Sequence, residues 1–415
     1  MKDKQHCAVV GAGIIGICCA IELLDRGYQV TIYDSNSPGS MTSKGNAGGF
    51  GFTDVMPMAS PGLWKRVPEW LLDPCGPLFI SPSHLPKLLP WLWCFMQTGS
   101  IENVRKLAHA LSSLLEMSKL DCNVLLDKSS LGYLYTELGA ITVYKSKQGA
   151  LKDKLEWDIK KEFGVEIYEL HSNEAIREME PELQNTNFGY YTPQWCNTTD
   201  PYELAVKLFE YFVAKGGCYC QEKVKNLLGS NDTIEKIDMG SGKKANVEYV
   251  VIAAGVWSKE FCKQLNEKVL IESERGYNTT LSEPGVLLNH QVIFGEEKFV
   301  ISNIGNGLRI GGAAEFAGFK KPNYRRSAVL VEMARRYLPQ LKDQNGQQWM
   351  GHRPTTPDSI PVIGPSLTFN NVFYAFGHGH YGLTMAPSTG KLIAEMISRQ
   401  KTSIDIEPFS IKRFN

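Results

Sequence analysis

The sequence predicts an α/β fold in two interleaved domains, one of them a nucleotide-binding domain. Three observations carry that reading. Residues 6–34, HCAVVGAGIIGICCAIELLDRGYQVTIYD, run strand, glycine loop, helix, strand, acid. A second α/β piece lies far downstream and closes in YVVIAAG at 249–255. After a strand-rich stretch from about 262 to 340, the chain returns to a Gly/Pro loop, a strand at 372–375, a Gly/His loop and a last helix.

Each part of the first unit has a physical reason. Ala8-Val9-Val10 is the short apolar run of a buried parallel strand. Gly11 permits the tight turn, Gly13 lets backbone approach a pyrophosphate, and Gly16 lets the helix close on the strand. Ala12, Ile14 and Ile15 complete the loop, and Ile17, Ala20, Ile21 and Leu24 share one helical face. The helix start offers free N–H groups and a positive dipole end to phosphate. Asp34, at the end of the second strand, can accept from a ribose hydroxyl, with Ser35 beside it.

This motif alone does not separate FAD from NAD. Its place at the amino terminus, the lack of a second GxGxxG opening a separate nicotinamide domain, and a distant segment suited to closing over a flavin all favour FAD.

Further along, 35–53 (SNSPGSMTSKGNAGGFGFT) is too long and glycine-rich for a simple connector, and it offers backbone N–H groups with Thr42, Ser43, Lys44 and Asn46. Residues from about 61 to 130 read as mostly helical, 139–144 and 188–192 as strands. Asp200-Pro201-Tyr202-Glu203 opens a helix as N-cap, first-turn proline and capping box. The nucleotide domain is assigned 1–60, 200–260 and 345–400, the second domain 61–199 and 261–344, with 401–415 as a tail. In 351–364 (GHRPTTPDSIPVIG) three prolines stiffen a loop that carries His352 and Arg353; in 377–384 (GHGHYGLT) N–H groups gather at a helix start. No acid or thiolate completes a metal set with those histidines, so no metal is expected.

Composition excludes some functions. Lys plus Arg total 44, as do Asp plus Glu, which leaves no bulk electrostatic case for nucleic acid. Ten dispersed cysteines, none in CxxC, suit a reducing compartment, and Cys18 and Cys19 read as small buried residues. No secretory signal or spanning segment is read, so a cytoplasmic location is expected. Leu85–Met96, LPKLLPWLWCFM, reads first as a buried helix and second as a surface touching the inner face of a membrane.

Taken together, GAGIIG with Asp34, Ser43-Lys44-Gly45-Asn46-Ala47-Gly48, Ala253-Ala254-Gly255-Val256-Trp257-Ser258, Arg353-Pro354-Thr355-Thr356-Pro357-Asp358 and GHGHYGLT, in order over residues 7–384, resemble the D-amino-acid oxidase superfamily of FAD-dependent amine oxidoreductases. The D-amino-acid dehydrogenase branch is the most similar. The resemblance implies a glutathione-reductase-type FAD domain interleaved with an α+β substrate domain on an antiparallel sheet. It places Gly11–Gly16, Asp34 and Ser35 on pyrophosphate and ribose, 43–48 beside the flavin, Val224 at the adenine, Ala254, Gly255 and Trp257 near the cofactor, and Gly379, His380, Tyr381, Gly382, Leu383 and Thr384 around the pyrimidine side. Arg353 would pair with a substrate carboxylate, and Tyr277 would add a hydroxyl. His380, His352 or Tyr277 would take the amine proton. With no cysteine beyond Cys262, FAD should be non-covalent.

The expected substrate is a D-amino or cyclic imino acid, and the combination GHRP, TPDS and GHGH points to cis-4-hydroxy-D-proline or D-proline. The expected acceptor is a quinone or electron-transfer chain. Alternatives are an L- or N-methyl-amino-acid oxidase or dehydrogenase, and a non-catalytic FAD-holding subunit.

Overall fold

The computed structural model describes residues 4–63, 67, 70, 71, 76–305 and 307–415. Part of the helical run expected from 61 onward lies outside them. Two large sheets organise the chain. The first has six strands in the order Cys218–Cys220, Gln29–Tyr33, His6–Val10, Tyr249–Ile252, Val372–Phe376 and Val362–Pro365. The first five run parallel and the last antiparallel. Both faces are covered, which is why the strands are continuous apolar runs. The helices Ile14–Asp25, Ile101–Ser129, Pro201–Ala214 and Gly382–Ile397 share one core with Val9, Ile32 and Val251, and Cys18 and Cys19 are buried in it. Ala8, Val10, Tyr33 and Val250 face a second core that includes Val224. Asp200 caps its helix as read, with Oδ1 accepting from Tyr202 N and Glu203 N.

The second sheet runs Gln347–Thr355, Glu272–Leu281, Gly307–Phe316, Phe299–Ile304, Gln291–Phe294, Ala140–Tyr144, Phe188–Thr192 and Tyr168–Leu170, with Leu78–Ile80 joined to Gly307–Phe316. It is antiparallel apart from two parallel pairs. Helix Arg325–Arg335 packs Leu330, Val331 and Ala334 onto Ile301, Ile310 and Leu281.

Two expectations need correction. Residues 347–355 are a strand at the edge of the second sheet, not a proline-stiffened loop of the nucleotide domain. Pro354 is tolerated because it faces the outer edge, where no ladder N–H is needed. There its carbonyl accepts from Gly379 N, and the His352 carbonyl accepts from Thr42 Oγ1. Loops of the nucleotide domain thus cover the edge. The second correction concerns helix Leu85–Thr98, which is not a buried helix. Only Leu88 and Trp91 are buried, while Leu89, Trp93 and Met96 are 55%, 66% and 65% exposed. Among the described residues no helix is long and apolar enough to cross a membrane.

Candidate active site

The nucleotide loop is shaped by one glycine above all. Gly11 has φ +117°, and a Cβ there would lie 2.4 Å from the Ala253 carbonyl oxygen, so the loop and the AAGVWS turn meet backbone to backbone. Asp34 Oδ2 accepts from Ala12 N at 2.8 Å and Oδ1 from Asn36 N at 2.8 Å. Ser43 Oγ accepts from Ile14 N at 3.1 Å, so the 43–48 loop reaches the helix start.

The same loop is held from the other side by the second sheet. Arg309 Nη1 donates to the carbonyls of Lys44 and Asn46, Asn278 Nδ2 to that of Gly45, and Ser302 Oγ and Gln291 Nε2 to that of Ala47. Sequence reasoning missed all four side chains. Each lies on a strand more than 200 residues from its partner, where nothing local marks it. Gly48 N turns back to Asn46 Oδ1. In the 377–384 segment, Tyr381 donates to Asp54 Oδ2, and Thr384 Oγ1 accepts from Gly51 N. Gly382 and Leu383 open the last helix.

The register of the edge strands sorts the remaining candidates. Glu274 pairs with Arg353, Arg275 with His352, Gly276 with Gly351 and Tyr277 with Met350. Side chains alternate along a strand, so Glu274, Gly276 and Arg353 share one face. On that face the Arg353 guanidinium lies over Gly276, where a Cβ would meet Nη2 at 2.2 Å. Arg353 Nη1 donates to Glu274 Oε1 and to the Ala313 carbonyl, both at 3.0 Å. His380 Nε2 bonds the same Glu274 oxygen at 2.9 Å, and Thr355 Oγ1 donates to Oε2 at 3.0 Å. Among the described residues Arg353 Nε and Nη2 have no hydrogen-bond partner. Burial opposes ionisation of Glu274, but His380, Arg353 and Thr355 outweigh it and hold the carboxyl down at about 2. Glu274 was not a sequence candidate, because nothing local marks it: Arg353, Thr355 and His380 lie 79 to 106 residues away.

Tyr277 and His352 do not join Arg353. They lie on the opposite face, as alternation requires. Tyr277 donates to Glu315, which also pairs with Arg275 at 3.3 Å, and accepts from Asn323 N. Burial and then the Glu315 contact push its phenol up to about 12. His352 bonds Ser273 Oγ at 2.6 Å and packs against the rings of Trp257 and Phe319. Burial, then the Arg275 charge, pushes it down to about 4. His378 bonds Thr389 inside the protein, so the three histidines go to three separate environments.

Known proteins bear on this geometry. Residues 6–396 match the DAO family model, described as FAD dependent oxidoreductase. The chain belongs to that family. It is 34% identical over 423 residues to a D-amino-acid oxidase of Bradyrhizobium diazoefficiens, covering 100% of both chains. It is 30% identical to a D-amino acid dehydrogenase of Vibrio atlanticus, covering 98% of this chain and 99% of that one. Among solved structures, glycine oxidase from Geobacillus kaustophilus superposes with a TM-score of 0.77 at 22% identity over 99% of each chain.

As an FAD-dependent oxidoreductase the chain is an amino-acid oxidase or dehydrogenase, and its residues fit the cofactor. The helix Ile14–Asp25 begins on Gly13 with no capping side chain and no acid in its first turn. Ala12 N–H and Ile14 N–H are turned to Asp34 and Ser43, so a phosphate would meet the remaining N–H groups of the turn and a dipole that no first-turn acid opposes. Asp34 is already turned to the loop as an acceptor.

Proposed function

We propose that this enzyme oxidises the Cα–N bond of a D-amino acid or cyclic imino acid, with cis-4-hydroxy-D-proline and D-proline as the leading substrates. One observation carries the reading: the Nε–Nη2 edge of Arg353, which has no partner among the described residues. A guanidinium edge matches a carboxylate with two parallel bonds. This one sits on the sheet face that also binds the 43–48 loop and His380. The relatives' activity on D-amino acids supports the D configuration. The cyclic substrate rests on the likeness of GHRP, TPDS and GHGH to a hydroxyproline-catabolism subgroup.

In this reading Gly11–Gly16, Asp34 and Ser35 hold the pyrophosphate and ribose of FAD. The 43–48 loop, Ala254, Gly255 and Trp257 flank the cofactor, Val224 meets the adenine, and Gly379–Thr384 wrap the pyrimidine side. FAD supplies the hydride acceptor at flavin N5. Arg353 fixes the carboxylate and so aims the Cα–H, a positioning effect. The amine must be neutral when the hydride leaves, and the imine product hydrolyses in water. FAD is held non-covalently, since no cysteine lies beyond Cys262 and that thiol is buried. A quinone or electron-transfer chain is the proposed acceptor. The exposed stripe Leu89, Trp93 and Met96 supports a peripheral contact with a membrane that carries it.

The test is an anaerobic absorbance titration with D- and L-amino acids, both prolines and the 4-hydroxyprolines. Bleaching of the flavin band by D-imino acids is expected. Bleaching by L- or N-methyl substrates alone would overturn the substrate, and a flavin that none of them reduces would favour a non-catalytic FAD-holding subunit. Oxygen consumption with peroxide release would replace the dehydrogenase by an oxidase.

A further inference from the structure

Glu274 holds more than Arg353. Its Oε1 accepts from both Arg353 Nη1 and His380 Nε2. An ionised carboxylate is an acceptor only, so the proton on this bond belongs to His380 Nε2. That fixes the tautomer: in the neutral ring, Nδ1 carries the lone pair. Among the described residues Nδ1 has no hydrogen bond, and the side chain is 40% exposed where Glu274 is 3% exposed. The buried carboxylate anchors an imidazole whose other nitrogen is open.

The placement suits one task. In an α-amino acid the amine is attached to the carbon next to the carboxylate. A group that meets the amine must therefore stand beside the group that meets the carboxylate. Arg353 and His380 are bonded to one oxygen atom, and they come from different elements, the edge strand and the Gly/His loop. We propose that Glu274 and His380 form a carboxylate–imidazole pair in which His380 Nδ1 takes the amine proton of the substrate. The proposal rests on the reading of Arg353 as the carboxylate site and extends it to the amine.

The step balances. One N–H bond of the substrate ammonium breaks, its electron pair stays on nitrogen, and the proton bonds to Nδ1. FAD, where bound, would supply the two-electron oxidant that takes the Cα–H with its electron pair, and the nitrogen lone pair would then form the C=N bond. His380 afterwards returns the proton to water. Glu274 touches no reacting atom. It is a positioning residue, and it also stabilises the imidazolium as it forms.

The charged and titratable groups facing His380 are Glu274 and Arg353 on the sheet and Tyr381 on its own loop, with Thr355 completing the shell of Glu274. Of these, the Glu274 carboxylate is bonded directly to the ring, so removing its charge is the change that tests the pair.

The experiment is the pH dependence of flavin reduction by the best substrate, in stopped flow under anaerobic conditions. In the wild type the rate should rise with pH as the group that takes the amine proton becomes free to accept it. His380→Gln should lower the rate at neutral pH by about 10²-fold or more and abolish that limb. Glu274→Gln keeps the shape and an acceptor oxygen but removes the charge. It should move the limb to lower pH by about one unit or more. Flavin absorbance of each variant shows that the fold and cofactor site survive. His380→Ala guards against misfolding in another way, since added imidazole should restore part of the rate. An unchanged limb in His380→Gln would overturn the role of His380. A Glu274→Gln variant with raised KM and an unmoved limb would overturn the pair and leave Glu274 serving Arg353 alone. If no amine or amino acid reduces the wild-type flavin, the reading of the substrate site itself falls, an outcome distinct from either.

Discussion

Two buried carboxylates on neighbouring strands hold similar sets of partners to opposite ends. Glu274 binds Arg353, His380 and Thr355 on one face; Glu315 binds Arg275 and Tyr277 on the other. The second set is sealed, with Arg275 1% and Glu315 4% exposed, and Tyr277 is as deeply buried. Arg275 Nη1 and Nη2 are spent on Glu315 and the Lys320 carbonyl, and its remaining Nε is buried. The first set is open: Arg353 is 23% exposed and keeps a free edge. The same chemical parts make a strut on one side and a site on the other. What separates them is the covering. Helix Arg325–Arg335 and the residues before it close one face, whereas loops of the nucleotide domain frame the other.

The largest effect should come from breaking the strut. Arg275→Met leaves Glu315 buried and short of its cation, which costs about 3–5 kcal/mol of stability. Chemical denaturation should show that loss, while the KM of the folded enzyme stays near wild type. Next in size is the site. Arg353→Ala should lower kcat/KM for amino acids by about 10²–10³-fold, mostly through KM, as expected for truncating one side of a charge-assisted pair. Its denaturation midpoint should fall less than that of Arg275→Met, because Glu274 keeps His380 and Thr355. Equal stability losses in both variants would erase the contrast.

The two clusters also explain what was legible beforehand. The first βαβ unit was readable because everything that makes it is local: apolar run, glycines, helix and acid within 29 residues. Arg353 was readable as a residue type in a familiar setting, but its strand was hidden by Pro354 and Pro357, which read as loop. Only the pairing with Glu272–Leu281 and the outer-edge position of Pro354 make a strand of it. Glu274 was invisible for a related reason. Ser273, Glu274 and Arg275 look like a solvated edge, and each finds its partner 40 or more residues away. Tyr277 was placed at the site by the family resemblance alone, and the alternation that sends it to the other face was not legible.

Titration sharpens the comparison at smaller scale. His352 lies on the Arg275 face and is held from its ordinary 6.5 down to about 4, first by burial and then by Arg275. A base with a depressed folded pKa contributes stability that is whole above 6.5 and lost as pH falls from there toward 4, because the unfolded chain takes the proton first. Buried His378, held down to about 3, adds a loss that continues below that window. Glu274 acts lower still: its share is whole above 4.5 and is lost toward 2. His352→Asn should therefore flatten thermal stability between pH 6.5 and 4 by roughly a degree or two and leave the decline below pH 4 in place. An unchanged slope between 6.5 and 4 would mean that His352 is not held neutral.

The smallest effect on the folded protein should come from the exposed stripe of helix Leu85–Thr98; it is the buried Trp91 of the same helix whose Nε1 donates to the Thr355 carbonyl. Replacing Trp93 and Met96 by Ser removes apolar surface that already faces water, so stability should move by no more than about 0.5 kcal/mol. Amino-acid turnover with a soluble dye should hold, since neither residue contacts the Glu274 cluster. Co-sedimentation with lipid vesicles should fall, and with it turnover that uses a membrane-dissolved quinone. This contrast separates surface from site: a loss with dye as well as with quinone would tie the stripe to the chemistry, and unchanged vesicle binding would leave the exposed tryptophan without a membrane role.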